Sequence, residues 1–474
     1  MPTASLGSHG FPNPAPYVAL TAAAAGGQIV PLINSGDVVD GVTFEGIPDG
    51  IGVGPGTGSV DLYVTHEQSH VPFQGFADYQ DSSVSRVTVD VAHRQVTGLD
   101  VALSPDLGFI RFCSAFMAGP DQGFADYTFL VNEESNDIID VVPGAPYGAD
   151  PAIAPYRQAG YAAALNTSTG SVTPLSRMGR HNHENTVVVP GGWKETVSLS
   201  GDDTFTAPSS QLYLHTATDP DAMLRDKGQL WAFQVTATDE GRVDPYDPFN
   251  DANDFLEINL GDDWKGRFIH VPTDIARGLT DVAPQTALEN WSNANNVFQF
   301  VRIEDMAYDP TSPRRLYFAD TGTTRLAESA TTGRLERLAT GGVTSRGRIF
   351  EMTLNPRDPR LVDSFRVLAE AGDLPEGGMD NPDNLDVNAR SIMVQEDASN
   401  ARVWRYDRTA GTWAWVATAT QPAAETSGII DVSRWFGAGW WALDVQSHVN
   451  QSEGIETLTY TTPISGAQLT YRER

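Results

Sequence analysis

Acidic and histidine side chains recur beside short apolar runs along this chain. Five runs end in such residues, and two more have them just before or just after the run. The seven segments are LYVTHE at 62–67, FLVNEE at 129–134, RHNHENTVVV at 180–189, QLYLHTA at 211–217, LYFADTG at 316–322, SIMVQED at 391–397 and WWALDVQ at 440–446. A short apolar run between turn residues predicts a buried strand. Strands that end in acids would pool those acids at one end of a sheet, and buried acids need a cation to neutralise them.

The chemistry of the clustered side chains favours hard metal ions. The clusters are His66-Glu67, Glu133-Glu134, His183-Glu184, Glu304-Asp305, Asp383 and Glu396-Asp397. Carboxylate oxygens are suitable ligands for calcium, magnesium, manganese or ferric iron. A single cluster of this kind is usually a solvated strand end, but several clusters beside apolar strands indicate a shared metal site.

One cluster matches the H-E-x-x-H signature of zinc proteases through His66, Glu67 and His70. That chemistry requires a helix, which brings residues i and i+4 onto one face. Here the motif follows the strand-like run LYVT and leads into Pro72. In an extended strand the two histidines would lie about 13 Å apart, which is too far to share one zinc. We therefore reject a zinc-protease site.

The composition limits which partners the chain can bind. Its 474 residues include 61 acids against 31 lysines and arginines, a formal charge of −30. This charge argues against DNA, RNA and anionic membranes, because phosphate groups attract clusters of basic side chains. Two explanations of this negative charge stay open: it keeps the protein soluble, or a large share of the acids binds cations. A single cysteine, Cys113, excludes an internal disulfide framework and a thiolate-based zinc cluster.

The elements that position the clusters are predicted to be β-strands. Turn clusters rich in Gly and Pro recur roughly every 8–15 residues, and helical periodicity is scarce. We therefore predict an all-β fold, a single β-propeller domain over 1–474 with long loop insertions, on which a loop-rich N-terminal segment, 1–58, packs. Blades of roughly 80 residues would give about six, with seven as the alternative.

The N-terminal region carries little information on the compartment. The first Lys or Arg is Arg86, so the apolar run at 17–27 is a poor secretory signal. Two alternatives stay open: a cytoplasmic protein, or export to the periplasm or the medium with the export segment absent from this sequence. We expect the second.

Several of these segments, in chain order from about residue 60 to 450, resemble the PhoX family of alkaline phosphatases. FVRIEDMAYDPTSPRRLYFADTG (300–322) is similar to the F-x-R-x-E-D…LY-x-x-T signature of that family, and NPDNLDVNARSIMVQED (381–397) to its P-D-N-L…D segment. GRHNHENTVVV (179–189) resembles its G-R-x-x-H-E stretch, and LYVTHE its early N-H-E phrase. ETSGI (425–429) and WALDVQSH (441–448) resemble its C-terminal end.

The resemblance implies a six-bladed propeller that holds a mixed iron and calcium cluster and hydrolyses small phosphate esters. By position, Arg302 would bind the phosphate, and Glu304 and Asp305 would serve the metals or support their ligands. Glu184, Asp383 and Asp397 fall on acidic ligand positions. The segment 113–135 keeps the family's iron-binding cysteine, as Cys113, and its paired glutamates, as Glu133 and Glu134, but it lacks the threonine-proline-tryptophan core.

The chemistry of two residues agrees with these roles. A soft thiolate such as Cys113 indicates a transition metal when it accompanies oxygen ligands, although a buried, inert cysteine is the common alternative. The planar fork of Arg302 suits a phosphoryl group, and a structural ion pair with Glu304 or Asp305 is its alternative. We predict a monomeric, metal-dependent phosphate-ester hydrolase. Two other functions stay open: a propeller hydrolase of phosphodiesters, phosphotriesters or lactones, and a non-catalytic, calcium-stabilised binding propeller.

Overall fold

The computed structural model describes residues 16–56, 58–69, 81–140, 156–204, 210–250, 252–279, 283–421, 424–447 and 454–459. Within these ranges the chain is mostly β-structure, because short runs of Val, Ile, Leu and aromatic residues alternate with turns that contain Gly, Pro, Asn or Asp. No helix in this part of the chain is long and apolar enough to cross a membrane.

Most strands of the first half pair with their neighbours in the chain as antiparallel meanders. Four short strands come first: β1 (Val18–Leu20), β2 (Gln28–Asn34), β3 (Val38–Val39) and β4 (Val42–Thr43). The first meander contains β5 (Pro48–Pro55), β6 (Ser59–His66), β7 (Ser83–Asp90) and β8 (Gln95–Leu103). The second contains β9 (Phe116–Ala118) and β10 (Thr128–Asn132), then an inserted hairpin of β11 (Ile138–Asp140) and β12 (Tyr156–Gln158), then β13 (Ala162–Asn166) and β14 (Val172–Pro174). The third contains β15 (His183–Val188), β16 (Thr196–Asp202), β17 (Leu212–Ala217) and β18 (Gln229–Thr238), and it is followed by β19 (Gly241–Arg242) and β20 (Trp264–His270).

The second half continues the same pattern. The fourth meander contains β21 (Ile303–Asp309) and β22 (Ser312–Asp320), then a hairpin of β23 (Leu326–Glu328) and β24 (Leu335–Arg337), then β25 (Arg348–Leu354) and β26 (Leu361–Glu370). The fifth contains β27 (Pro382–Val387), β28 (Ser391–Glu396), β29 (Arg402–Asp407) and β30 (Thr412–Ala419), and the sixth contains β31 (Ala424–Asp431), β32 (Trp440–Ser447) and β33 (Gly454–Thr459). The helices are α1 (Pro220–Leu224), α2 (Thr273–Arg277), α3 (Pro284–Ala294) and α4 (Ser433–Phe436).

The first strands of successive meanders close into a ring. They contact one another in the order β5, β9, β15, β21, β27, β31 and back to β5. The N-terminal strand β2 pairs with β33 of the sixth meander, and β1 pairs with β30 of the fifth, so the two ends of the chain join the circle. This closure is typical of a β-propeller, in which sheets surround a central channel.

The third and fourth meanders form one continuous sheet. Strand β20 pairs with β26, where Trp264 lies opposite Phe365. An aromatic cluster that includes Phe233, Phe298 and Phe365 fills the core between them, and the ring centroids of Phe233 and Phe365 are 5.0 Å apart. The predicted all-β propeller class is confirmed. Because these two meanders share a sheet, the number of blades stays a prediction. The division of the chain at residue 58 also stays a prediction.

Register shifts interrupt five of the inner strands where they enter the channel. They fall between Pro48 and Ile51, His183 and Thr186, Ile303 and Met306, Pro382 and Leu385, and Ser427 and Ile430. A β-bulge places two residues opposite one and re-aims their side chains, and bulges are common next to active sites. The bulges of β5, β15, β21 and β27 contain an acid followed by a small or polar residue, at 49–50, 184–185, 304–305 and 383–384.

Candidate metal centre

A thiol and four carboxylates from three meanders and two connecting segments converge at one end of the channel. Candidate ligand atoms of Cys113, Glu134 and Glu184 lie within 4.8 Å of one another, and so do those of Glu184, Glu304 and Asp383. Because Glu184 belongs to both groups, the two groups are neighbours. All five residues are among the metal ligands that the sequence predicted.

A simple rule of strand pairing supplies these residues. The first strand of each meander lines the channel. At or just before its start, one residue pairs with a residue at or just after the end of the next strand, as Phe112 pairs with Glu133 and His183 with Asp202. The residue that follows each member of such a pair in the sequence then lies at the channel end. This rule gives Asp49 and Glu67, Cys113 and Glu134, Glu184 and Asp203, Glu304 and Thr321, and Asp383 and Asp397.

Cys113 is buried among acids. Its Sγ atom donates a hydrogen bond to Oδ2 of Asp49 at 3.3 Å. Burial, and then the charges of Asp49, Glu184 and Glu134, raise the pKa of the thiol well above its usual value. Without a cation the sulfur therefore stays protonated. A bound metal ion would reverse this balance, because it stabilises the thiolate.

Two carboxylate oxygens in the centre have no hydrogen-bond partner among the described residues. Glu184 accepts a hydrogen bond from Ser114 through Oε1 at 2.6 Å, but its buried Oε2 atom has none, and the same is true of Oδ1 of Asp383. Burial and neighbouring carboxylates raise the pKa of both side chains. Unpaired buried oxygens are costly unless a ligand satisfies them. The donor set therefore fits bound metal ions.

Arg302 lies beside this centre and is fixed by Asp203. Its Nε and Nη2 atoms donate to the two oxygens of Asp203 at 2.7 and 2.8 Å, and Nη2 lies 3.5 Å from Oε1 of Glu304. Burial alone would lower the pKa of Arg302, but the charges of Asp203 and Glu304 outweigh it and raise the pKa. The side chain is 23% exposed, so a solvent-facing part can meet a ligand. Its backbone φ of 63° is unusual for a residue other than glycine, and such strain is frequent at functional sites.

Further acids border the centre on the side of the fifth, sixth and first meanders. Burial, then Asp397, Asp383 and Glu67, raise the pKa of Glu425 well above its usual value. Gln446 donates from Nε2 to Glu425 and, at 3.1 Å, to Oδ2 of Asp49. Glu67 and Asp397, both predicted ligands, are half-buried here. In addition to burial, the charge of Glu67 raises the pKa of Cys113, and the charge of Asp397 raises the pKa of Asp383.

The two predicted histidine ligands use their ring nitrogens elsewhere. Nδ1 of His66 lies 3.0 Å from the Gly46 carbonyl and Nε2 lies 2.8 Å from Ser85 Oγ. Nδ1 of His183 lies 2.8 Å from Ser200 Oγ, and Nε2 lies 3.1 Å from the Gly179 carbonyl. Burial lowers the pKa of His66 to about 4 and that of His183 to about 3, so both rings are neutral. His66 ends a strand, and His70 lies outside the described residues.

Two predicted acids bind backbone amides instead. Glu133 accepts hydrogen bonds from the amides of Ile110 and Tyr161, both at 3.1 Å. Asp305 accepts from the amides of Met306 at 2.7 Å and Leu385 at 3.1 Å, and from the Asn185 side chain. We leave His66, His183, Glu133 and Asp305 out of the candidate centre for these reasons.

The sequence prediction missed three acids at or beside this site, one of which is Glu425. Asp49 contacts Cys113, and Asp203 holds Arg302. Asp49 lies in a Gly- and Pro-rich stretch, 47–59, that we interpreted as a turn cluster. Asp203 follows the end of a strand, as the predicted acids do, but its apolar run is interrupted by Ser and Gly.

Comparison with known proteins decides the family. The family described as "Alkaline phosphatase PhoX" matches residues 149–428, more than half of the chain. The chain belongs to the PhoX alkaline phosphatase family. It is therefore a phosphatase-type hydrolase of a metal-dependent family, and the predicted family is confirmed. No curated protein matches the chain.

Solved structures support the fold. Pseudomonas fluorescens PhoX in complex with vanadate, a transition state analogue, has 14% sequence identity and a TM-score of 0.65, over 94% of this chain and 96% of that one. At this identity the likeness shows the fold alone. Kuenenia stuttgartiensis hydrazine synthase has 10% identity over 90% of this chain and 99% of that one, with a TM-score of only 0.39, and it carries no argument.

Proposed function

We propose that this protein hydrolyses small phosphate monoesters with the help of bound calcium and iron. One observation carries the proposal: a charged, partly exposed arginine, Arg302, is held by Asp203 beside a buried group of one thiol and several carboxylates. Phosphoryl groups are recognised by planar arginine forks, and their transfer is accelerated by nearby cations. The match to the PhoX alkaline phosphatase family supports the same reaction.

The donor atoms suggest which group of ligands each of two kinds of metal ion would occupy. Cys113, with Glu134 and Glu184, offers sulfur and oxygen to a transition metal, for which we propose iron. Glu184, Glu304 and Asp383 offer oxygen only, which suits calcium. When bound, the cations supply positive charge that neutralises phosphoryl oxygens and lowers the pKa of water.

The protein's own residues contribute position and charge. Asp203 occupies two donors of Arg302 and so fixes the plane of the guanidinium. The solvent-facing part of that group can donate to the phosphoryl oxygens as their charge develops. The ion pair between Nη2 of Arg302 and Oε1 of Glu304, at 3.5 Å, keeps the guanidinium next to the carboxylates that would bind the metals. Substrate and metals would then meet between Arg302 and the carboxylates.

The charge of the protein also bears on its substrate and on where it acts. The charge of −30 repels nucleic acids and anionic membranes but not a small ester that meets cations and Arg302 at the channel end. We propose that the protein acts as a monomer outside the cytoplasm, where calcium is plentiful enough for sites of modest affinity.

Cys113→Ala is expected to remove the transition metal while most calcium remains. This is the chain's single cysteine, so no other side chain can replace the thiolate. Elemental analysis of wild type and variant, purified side by side, measures the change. If iron content and any visible absorption band survive the substitution, Cys113 is an inert buried side chain.

Hydrolysis of p-nitrophenyl phosphate at alkaline pH tests the proposed function. Protein stripped by chelator should be inactive, and it should regain activity with calcium and iron together more fully than with either alone. Bis-p-nitrophenyl phosphate and a lactone serve as the substrates of the competing functions. A fully metallated protein that cleaves no phosphate monoester would contradict the proposal, and cleavage of the diester or lactone would identify the other hydrolase class.

A further inference from the structure

Below the carboxylates, a chain of hydrogen bonds links the sixth meander to Glu184. It runs from the backbone amide of Gly428 through Asn384 and Ser114. Three of its side chains are almost fully buried: Ser114 and Asn384 are each 1% exposed, and Glu184 is 0% exposed. Buried chains of hydrogen bonds fix the orientation of their members.

The backbone amide of Gly428 fixes the direction of the hydrogen bonds in the chain when Glu184 is ionised. The Gly428 amide lies 3.1 Å from one side-chain atom of Asn384 and can only donate, so that atom is the carbonyl oxygen Oδ1. The other atom is therefore Nδ2, which donates to Ser114 Oγ at 2.5 Å. A serine hydroxyl has one proton. Because Ser114 accepts from Asn384, its own proton is directed to Oε1 of Glu184, at 2.6 Å, when that carboxylate is ionised, as it is beside a bound cation.

The backbone of Ser114 is also held in place. Asn132 donates from Nδ2 to the Ser114 carbonyl at 3.1 Å, and Thr186 donates to Oδ1 of Asn132 at 2.8 Å. The hydroxyl of Ser114 therefore cannot shift far relative to the strand that carries Glu184. One oxygen of Glu184 is engaged, and Oε2 has no partner among the described residues.

We propose that Asn384 and Ser114 act as positioning residues that hold Glu184 with Oε1 engaged and Oε2 presented to a bound cation. This inference rests on the metal-binding part of the proposed function. Hydrogen-bond partners of metal ligands commonly change metal affinity by about 10- to 100-fold when they are removed. This chain of hydrogen bonds, which we call the relay, also links three meanders and the segment before β9, so the geometry at Glu184 depends on the closure of the ring.

A purely structural role is the competing explanation. Ser114 and Asn384 also border a cavity of about 230 Å³ that lies farther along the channel and is lined by residues such as Ile51, Met117 and Val387. If these polar residues only closed the channel above the cavity, their loss would lower the stability of the metal-free protein. It would leave the affinity for cations unchanged.

Calorimetric titration of chelator-stripped protein with calcium alone separates the two roles. Ser114→Ala is expected to weaken calcium binding by about 10- to 100-fold. Ser114→Thr keeps the hydroxyl and should restore most of the affinity. Melting curves recorded in chelator show whether each variant folds. Equal affinity in Ser114→Ala and wild type, or equal weakening in Ser114→Ala and Ser114→Thr, would overturn the relay.

A double-mutant cycle tests the link between the two residues. If Asn384 acts through Ser114, Asn384→Ala should weaken calcium binding in the wild type but have little further effect in the Ser114→Ala background. Additive losses would mean that Asn384 acts independently and would overturn the relay. A wild type that binds no calcium and is also inactive would instead overturn the proposed function itself, together with this inference.

Discussion

Arg302→Ala is expected to lower kcat/KM for p-nitrophenyl phosphate by about 10²-fold or more. That is the scale of losing one preorganised donor that stabilises developing charge. Because the contact is expected to strengthen as the phosphoryl charge develops, most of the loss should appear in kcat. Arg302→Lys should recover little activity, since an ammonium group cannot bind Asp203 in two places and also reach the substrate.

The Arg302 variants need a control for stability. Removing Arg302 leaves the buried carboxylate of Asp203 without its main partner, and breaking such a pair destabilises a protein by about 3–5 kcal/mol. Arg408→Ala is the matched control, because it breaks a similarly buried pair with Asp309 at the opposite end of β21 from Glu304. Its kcat/KM should stay within about twofold of wild type if the effect is local. Full activity in a metallated Arg302→Ala protein would remove Arg302 from the site.

The strands were predictable because each apolar run is short and ends at a polar residue. LYVTHE became the end of β6, and SIMVQED became β28. The bulges were not predictable, because the apolar runs carry no signal of a register shift, even though the two strands of each bulged pair follow one another in the chain. The joining of the third and fourth meanders was missed for a different reason. It depends on the pairing of β20 with β26, which is distant in the chain, and the β20 sequence WKGRFIH contains no acid.

The candidate site was predicted as pairs of neighbouring residues, and the fold separates the members of most pairs. In Glu133-Glu134 the first side chain binds the amides of Ile110 and Tyr161, and the second reaches the centre. In His183-Glu184 the ring turns to Ser200, and the carboxylate reaches the centre. Neighbouring residues of a strand point to opposite faces, so one member of a pair faces the channel. Sequence alone does not say which one.

Two of the acids that the sequence did not predict share another property. Asp49 and Asp203 do not follow unbroken apolar runs, and their roles come from contacts with Cys113 and Arg302 that are far away in the chain. Conversely, Asp320 ends the apolar run LYFAD but binds the amides of Val301 at 2.7 Å and Gly322 at 3.1 Å. An acid at a strand end is therefore as suited to holding a turn as to binding a metal. Only the closure of the ring distinguishes the two roles.

Removal of bound cations is expected to lower the melting temperature by several degrees. Ligands that bind only the folded state stabilise it by about 4 kcal/mol at a thousand times their dissociation constant, and a chelator cancels that gain. Without cations, the buried carboxylates repel one another, and burial raises the pKa of Glu184, Glu304 and Asp383. Melting curves with and without EDTA, followed by re-addition of calcium, measure the effect.

The pH dependence of that effect gives a second test with a definite sign. A carboxyl group whose pKa is raised in the folded state favours folding while it is protonated, and this contribution is lost as the pH rises above its unfolded value, about 4.5 for Glu. The stripped protein should therefore lose stability between pH 6 and pH 9, while the metallated protein should change less, because bound cations replace the protons. The drop in melting temperature caused by EDTA should be larger at pH 9 than at pH 6. An EDTA effect that is absent at both pH values would contradict the metal centre, since unneutralised acids at Glu184, Glu304 and Asp383 cannot all be ionised in the folded protein without cost.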